Sequence, residues 1–451
     1  MKMYDVIVIG FGKAGKTLAG QLGKQGKKVA LIEKDNGMYG GTCINVGCIP
    51  SKRLITEAAT APTSDFASKA AYYKKAVEGK RELTGALNKA NYNKLIQAGV
   101  EVIDGMASFV DATHVEVKTK DGVVQLEGKQ FVINTGATSV IPGIPGVKDS
   151  DKVYTSESMM DLDELPEKLT IVGGGYIGLE FAAMYANFGS KVTVVQDIDV
   201  FLPREDKDIA DNIRSVLEAK GIEIVTGAKT TKIEGATLYY TVGDTDTVLE
   251  GDAILMATGR RPNTDGLEAQ KAGIALSDRG AVVTDEHLRT NVPNIWAAGD
   301  VCGNLQFTYI SLDDSRIILS DMSGKGDRTT QNRGAFSYSV FIDPPFSRVG
   351  LSESEAKAKN IDYRVMNLPA AAIPKAKVLR KPEGVLKALV GTDDQILGVQ
   401  LFCAESHEMI NLVKMAMDNN LKYQVLRDFI YTHPTMSESL RPDRPANGRP
   451  R

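Results

Sequence analysis

Short apolar runs recur along the chain, each closed by glycines and followed by an amphipathic stretch. The first is Tyr4-Asp5-Val6-Ile7-Val8-Ile9. Gly10-Phe11-Gly12-Lys13-Ala14-Gly15 follows, then a helical pattern to about Lys24, then Lys28-Val29-Ala30-Leu31-Ile32-Glu33. Strand, glycine turn, helix, strand is the unit that folds around a dinucleotide. Gly10 permits the tight turn, Gly12 lets a pyrophosphate approach the backbone, and Gly15 allows close helix–strand packing. The helix start offers unpaired N–H groups to the phosphates. Glu33 ends the second run, where a carboxylate can accept both hydroxyls of an adenosine ribose.

The pattern returns ~160 residues later. Leu169-Thr170-Ile171-Val172 leads into Gly173-Gly174-Gly175-Tyr176-Ile177-Gly178, a helix is expected to about Phe188, and Lys191-Val192-Thr193-Val194-Val195 forms the next strand. Counting from Gly173 as from Gly10 to Glu33 lands on Gln196, so the expected acid is missing, although Asp197 is adjacent. Two Rossmann units imply two dinucleotides, and hence electron passage between a nicotinamide and a flavin. A duplication that binds one ligand is the alternative.

Phe131–Ala137 and Ala253–Gly259 read as the return strands of the two units, and Asn294-Ile295-Trp296-Ala297-Ala298-Gly299-Asp300 places an acid at a strand end, where Asp300 could meet a cofactor. Residues 52–98 read as helices. The last third has strand character at 338–342, 384–390 and 396–401, with helices near 352–359, 405–419 and 424–430, an α+β pattern. Residues 441–451 carry four Arg and three Pro and read as a disordered tail.

The 451 residues suggest about three domains. With 57 acidic and 54 basic side chains the net charge is -3, so there is no electrostatic case for nucleic acid or an anionic membrane. No apolar run reaches the ~18 residues of a membrane helix, and a cleavable signal is not expected. Four cysteines are too few for a secreted disulfide framework, which makes a reducing cytoplasm the default.

Half of those cysteines fall in Gly40-Gly41-Thr42-Cys43-Ile44-Asn45-Val46-Gly47-Cys48-Ile49-Pro50-Ser51-Lys52. Zinc would need further ligands, and no His or third Cys is near; no metal is expected. In a regular helix, positions five apart lie about 140° around the axis, so a bridge requires distorted backbone near Gly47. A strained disulfide is easily reduced, as a catalytic pair needs; two unrelated buried thiols are the alternative. A working thiol needs a proton carrier. Of the four histidines, His433 lies in Thr432-His433-Pro434-Thr435-Met436-Ser437-Glu438, where Glu438 can orient its ring. From spacing alone, a capping or exposed His is the plainer reading, and His407 beside Glu408 is in the same position.

Taken together, the two glycine fingerprints, Gly-Gly-Thr-Cys-x4-Cys-x-Pro-Ser-Lys, Ala-Thr-Gly-Arg-Arg-Pro-Asn, Ala-Gly-Asp and His-Pro-Thr-x-x-Glu occur in order from Met3 to about Leu440. This combination resembles the flavin disulfide reductases, class I of the pyridine nucleotide-disulfide oxidoreductases. Within them the chain is most similar to the RclA group of bacterial oxidant-defence reductases, on Gly10–Thr17, Met38–Gly41 and Leu305–Asp314.

The resemblance implies an α/β fold with two Rossmann-like domains and a C-terminal α+β dimerisation domain. It divides the chain into an FAD-binding domain with the redox disulfide (1–150), an NAD(P)H-binding domain (151–275), a return to the FAD-binding and central region (276–335) and a dimerisation domain (336–440). It implies FAD held by Gly10, Gly12, Gly15, Glu33, Gly41, Thr42, Lys52, Thr135, Gly136 and Asp300. NADH or NADPH would lie against Gly173, Gly175, Tyr176, Gly178, Gln196 and Gly259. Cys48 would face the flavin, Cys43 would meet the oxidant, and Lys52, paired with Glu180, would sit near the flavin ring. Tyr176 would cover the nicotinamide pocket. His433, held by Glu438, would reach Cys43 from the other subunit of a homodimer.

The implied reaction is NAD(P)H-dependent reduction of a small oxidant, hypothiocyanous acid, through the Cys43–Cys48 pair, with copper(II) reduction associated with the same group. Dihydrolipoamide dehydrogenase and a non-catalytic redox sensor are the competing readings. The vicinal C-terminal cysteines of mercuric reductases are missing, which disfavours mercury. Gln196, without an Arg cluster after it, leaves the choice of nicotinamide open.

Overall fold

The computed structural model describes residues 1–441; the tail expected at 441–451 lies, but for Arg441, outside them. The first apolar runs form parallel strands β1 (Lys2–Ile9) and β2 (Val29–Glu33), joined by helix α1 (Lys13–Lys24). Helices α2 (Thr42–Asn45), α3 (Cys48–Ala59) and α4 (Phe66–Gln97) precede β3 (Glu101–Asp104), β4 (Met106–Phe109), β5 (His114–Thr119) and β6 (Gly122–Ile133). The sheet order is β3-β2-β1-β6-β5-β4, with the strand Ile295–Ala297 added parallel to β6. The return strand expected at Phe131 is therefore the end of β6, which pairs with β1 in parallel. The antiparallel β4–β6 meander was not legible as such, because its alternation is interrupted by short polar turns.

Residues 14, 18, 19 and 22 of α1 form one buried stripe packed with Val6, Val8, Val29 and Leu31 from the sheet. Each buried Val or Leu among these contributes about 1.5–3 kcal/mol by leaving water. That stripe sets the angle at which the helix start meets the strand ends.

The second unit repeats the first. Strands Lys168–Val172, Lys191–Val195, Glu223–Val225, Ala253–Met256 and Val153–Tyr154 make a parallel five-stranded sheet. Beside it lies an antiparallel three-stranded sheet, residues 228–250, that the sequence pattern did not announce. Its alternation is broken by a bulge between Thr230 and Lys232.

Beyond the helix Thr308–Met322, an antiparallel five-stranded sheet carries the helices Glu353–Ala358, Ser406–Asp418 and Tyr423–Asp428, as the α+β pattern requires. Two polar clusters tie it to the second unit. Lys387 is buried and meets Asp206 at 3.2 Å, Asp208 at 3.0 Å and Glu353 at 2.8 Å. Arg348 pairs with Glu205 at 3.4 Å and with Glu355. No helix among the described residues is long and apolar enough to cross a membrane.

Candidate active site

The first glycine loop is shaped by side chains that sequence reasoning passed over. Asn134, at the end of β6, accepts from the Gly15 amide at 2.8 Å and donates to the Ala298 carbonyl at 2.6 Å. It locks the loop to the strand that ends at Ala297. Gly10 has a φ of 103°, and a β-carbon on it would lie 2.3 Å from the Asn134 carbonyl oxygen. Glu33 accepts from the amide of Phe11 at 2.9 Å, which places its carboxylate beside the loop; burial raises its pKa and three backbone amides oppose that. Ser311 accepts from Ala14. Asp300 is half-buried and its carboxyl is raised by burial, with Arg260 countering. Glycine backbone at a helix start with a carboxylate alongside fits the pyrophosphate and ribose of a dinucleotide such as FAD. Thr135 and Gly136 continue from Asn134, and Thr135 donates to the Asn263 carbonyl at 2.6 Å.

The cysteine segment is pressed onto this loop. A β-carbon on Gly41 would lie 2.7 Å from the Gly12 α-carbon, so Gly40-Gly41 permits the closest approach. From there α2 carries Thr42 and Cys43 and stops at Asn45. Gly47, at φ −128° and ψ −115°, breaks the path, and α3 restarts at Cys48. This is the distortion that a five-residue spacing demands. The two sulfurs, thiols here, are near enough for each to set the other's acidity.

That proximity divides their acidities. Cys43 holds Cys48 down at about 6 against the opposing effect of burial, helped by Thr308, whose hydroxyl is 3.5 Å from the Cys48 Sγ, and by the charge of Lys52 one turn along α3. Cys43, beside Cys48 and desolvated, is pushed up. A pair split in this way, one thiol acidified and its neighbour not, suits thiol–disulfide exchange.

Lys52 pairs with Glu180 at 2.7 Å and lies 4.6 Å from the centre of the Phe341 ring. Glu180 also accepts from the Phe341 amide at 2.9 Å, so one buried carboxylate joins α3, the Tyr176–Phe188 helix and the C-terminal sheet. His407 packs against Phe341, with ring centroids 5.3 Å apart and planes tilted by 50°.

Tyr176 opens the second helix. Its hydroxyl donates to Glu205 and lies 3.2 Å from that of Tyr338. Gly173, Gly175 and Gly178 line the loop beneath, and the left-handed Gly259, at φ 113°, follows the return strand. Gln196 is buried at the end of its strand. A β-carbon on Gly174 would stand 2.1 Å from its Oε1. His433 is 71% exposed, with Nδ1 2.9 Å from Glu438, and among the described residues it hydrogen-bonds neither thiol of its own chain. The carboxylate orients the ring and leaves Nε2 outward. Asn134, Glu205 and Tyr338 had no motif of their own, and Thr308, though within Leu305–Asp314, had no assigned part; their parts come from long-range contacts.

Thr308→Val removes one of the groups that hold Cys48 low. In the dithiol form, the ultraviolet thiolate absorbance of Cys48 should titrate near pH 6, and the variant's midpoint should lie about half to one pH unit higher. A pH-jump absorbance titration decides; an unmoved midpoint means Thr308 does not contribute.

Residues 4–315 match the family described as pyridine nucleotide-disulphide oxidoreductase, and residues 336–444 match its dimerisation domain. The chain is 48% identical to the probable pyridine nucleotide-disulfide oxidoreductase RclA of Escherichia coli K12, with 98% of each chain covered. It is 32% identical to a mercuric reductase of Staphylococcus aureus, over 97% of this chain and 81% of the relative. Among solved structures, the Cu(II) complex of the HOCl-induced flavoprotein disulfide reductase RclA from Escherichia coli superposes with a TM-score of 0.92 at 48% identity, covering 98% of both chains.

Proposed function

Since the chain belongs to the pyridine nucleotide-disulphide oxidoreductase family, whose members depend on FAD and NAD(P)H, we propose that it reduces a small oxidant, hypothiocyanous acid, through Cys43 and Cys48. The observation that carries this reading is the placement of the two thiols on either side of the Gly47 break, pressed onto the first glycine loop, with Cys48 acidified by its neighbour. The likeness to an HOCl-induced reductase supports oxidant defence as the setting.

FAD, when bound, supplies the two-electron relay between nicotinamide and disulfide. The chain's own residues do the rest. Lys52, fixed by Glu180, sets a positive charge one turn from Cys48 and favours its thiolate. Cys43 gives up its proton and attacks the sulfur of hypothiocyanous acid. A bond forms between the Cys43 Sγ and the thiocyanate sulfur, the S–O bond breaks, and the hydroxide leaves as water with one proton. The Cys48 thiolate then attacks the Cys43 Sγ, which closes the disulfide and expels thiocyanate. His433, oriented by Glu438, is the proton carrier at Cys43, reaching it across the dimer that the dimerisation domain forms. Tyr176, tethered to Glu205, covers the nicotinamide pocket until the cofactor enters.

The test is a steady-state panel of oxidants with the reduced enzyme. Hypothiocyanous acid should be turned over with kcat/KM at least ~10²-fold above lipoamide; comparable lipoamide turnover sinks the assignment. Copper(II) belongs in the same panel, because the related structure is a Cu(II) complex.

The nicotinamide is NADH on this reading. Gln196 Nε2 donates to the carbonyls of Ile198 at 2.7 Å and Val200 at 3.1 Å, which uses both amide protons. Exchanging the amide's O and N would set its oxygen against two carbonyl oxygens, so Oε1 is the free atom. It is an acceptor beside Gly174, suited to a ribose hydroxyl and unsuited to a 2′-phosphate, and Asp197 and Asp199 add negative charge in the same loop. NADH should exceed NADPH in kcat/KM by about tenfold or more. Equal values overturn this point alone.

A further inference from the structure

Lys16 is the basic residue that the proposed chemistry leaves unused. It lies one turn into α1, half-buried, and its Nζ donates to the Gly40 carbonyl at 3.1 Å. Gly40, at φ 99°, lies in the turn that leads into α2, which carries Cys43. Asn91 of α4 packs on the same glycine, with its side chain 3.3–3.4 Å from where a β-carbon would stand. Lys94 follows one turn along α4, and Lys13 precedes Lys16 on α1. The amine therefore sits in a wedge between α1, α4 and the cysteine turn.

Among the described residues, Lys16 has no carboxylate partner within ion-pair distance, and Gly40 is its one hydrogen-bond acceptor. Two of its three N–H bonds are unmet by protein. A half-buried ammonium without a counter-ion is costly, and such groups recur where an anion is to be received. Burial and the charges of Lys13 and Lys94 bring Lys16 down to about 8, while Cys43 is the group that favours its charged form; in turn Lys16 opposes the upward shift of Cys43.

We propose that Lys16, hydrogen-bonded to Gly40 and flanked by Lys13 and Lys94, forms a site for a small monovalent anion beside Cys43. Thiocyanate and the ionised form of a hypohalous-type oxidant have the right charge and size. The site draws anionic electrophiles to Cys43 and holds the thiocyanate that leaves. This rests on the reading of Cys43 as the exchange thiol.

The test compares two alkylating agents of one chemistry and different charge. NADH-reduced holoenzyme is treated with iodoacetate or iodoacetamide between pH 6.5 and about 9.5, and labelling at Cys43 is followed by peptide mass. The rate ratio of the two reagents cancels the thiolate fraction of Cys43 and reads the charge around it. Cys48 is already a thiolate across this range. The other groups facing the site are Lys13 and Lys94, and His433 enters on the proposed dimer arrangement, so the Lys16 variants isolate its share. In the natural protein the ratio should fall roughly three- to tenfold as pH passes about 8. Lys16→Met should give the low ratio throughout, and Lys16→Arg should keep the high ratio with the step removed. Sodium thiocyanate should slow Cys43 labelling in the natural protein and not in Lys16→Met.

A ratio that is the same in the natural protein and in Lys16→Met overturns the proposal. So does loss of flavin absorbance in Lys16→Met with retention in Lys16→Arg, since the charge then serves the cofactor's phosphates. If Lys16→Met does not fold, the natural protein against Lys16→Arg decides: identical pH traces overturn it, and a step confined to the natural protein supports it. Labelling at Cys48 in place of Cys43 faults the reading of the exchange thiol. Labelling at Cys43 with a ratio indifferent to Lys16 faults this inference alone.

Discussion

Replacing Cys43 with Ser is expected to lower oxidant turnover by about 10³-fold or more, while NADH still bleaches the bound flavin at a rate close to that of the natural protein. The geometry separates the two halves of the reaction. Cys43 sits in α2 on the far side of the Gly47 break from Lys52, Glu180 and the start of α3. On the proposed scheme, removing its sulfur takes away the nucleophile and leaves the Lys52–Glu180 pair and the start of α3 in place. The Ser hydroxyl can still donate to Cys48, so the thiolate of Cys48 should survive with a midpoint near that of the natural protein, about 6. Cys48→Ser should behave differently: one attack by Cys43, then a trapped adduct, because no thiol is left to resolve it. Stopped-flow absorbance and intact mass separate these outcomes. Oxidant turnover that persists in Cys43→Ser means the dithiol scheme is wrong.

Lys387→Met is expected to destabilise the protein by about 3–5 kcal/mol near neutral pH. The lysine is 2% exposed and meets Asp206, Asp208 and Glu353, so its loss leaves carboxylates facing one another without a counter-charge. Asp208 is 56% exposed and solvent will screen its share, which puts most of the effect on Asp206 and Glu353. Burial alone would raise Asp206, but the amides of Glu353 and Ser354 together with Lys387 bring it down to about 2. Glu353 reaches about 2 as well, against burial, through Lys387, Lys357 and Tyr363. Both carboxylates are more acidic folded than unfolded. Their stabilisation is therefore complete above the ordinary carboxylate range near 4 and is lost as pH falls toward 2. The gap between natural protein and variant should shrink over that interval. Denaturant midpoints at several pH values measure it; a difference below about 1 kcal/mol near neutral pH refutes the assignment. The same change should loosen Tyr176, since Glu205, which holds it, adjoins Asp206.

Much of this was readable before any coordinates. A glycine fingerprint between two apolar runs specifies a strand–turn–helix because only glycine tolerates the left-handed turn and the close approach of backbone. Both fingerprints accordingly fold as expected, with Gly10 and Gly173 at φ 103° and 112°. The break at Gly47 follows from the spacing of Cys43 and Cys48. The ion pair of Lys52 with Glu180 came only through resemblance, since 128 residues separate them. The antiparallel sheets at 106–133 and 228–250 are not legible in the sequence, because short polar turns interrupt the two-residue period of the first and a bulge breaks that of the second.

Local sequence determined where the turns, helix starts and thiols lie, because these depend on the conformational range of single residues and on apolar spacing over a few positions. The tertiary structure decided which polar groups meet. Asn134 locking the first loop, Thr308 beside Cys48, Glu205 under Tyr176, the free oxygen of Gln196 and the unmatched charge of Lys16 all arise where segments far apart in the chain are packed together. Acidity and charge at such places depend on desolvation and neighbours within a few ångströms, and no one-dimensional pattern encodes those distances.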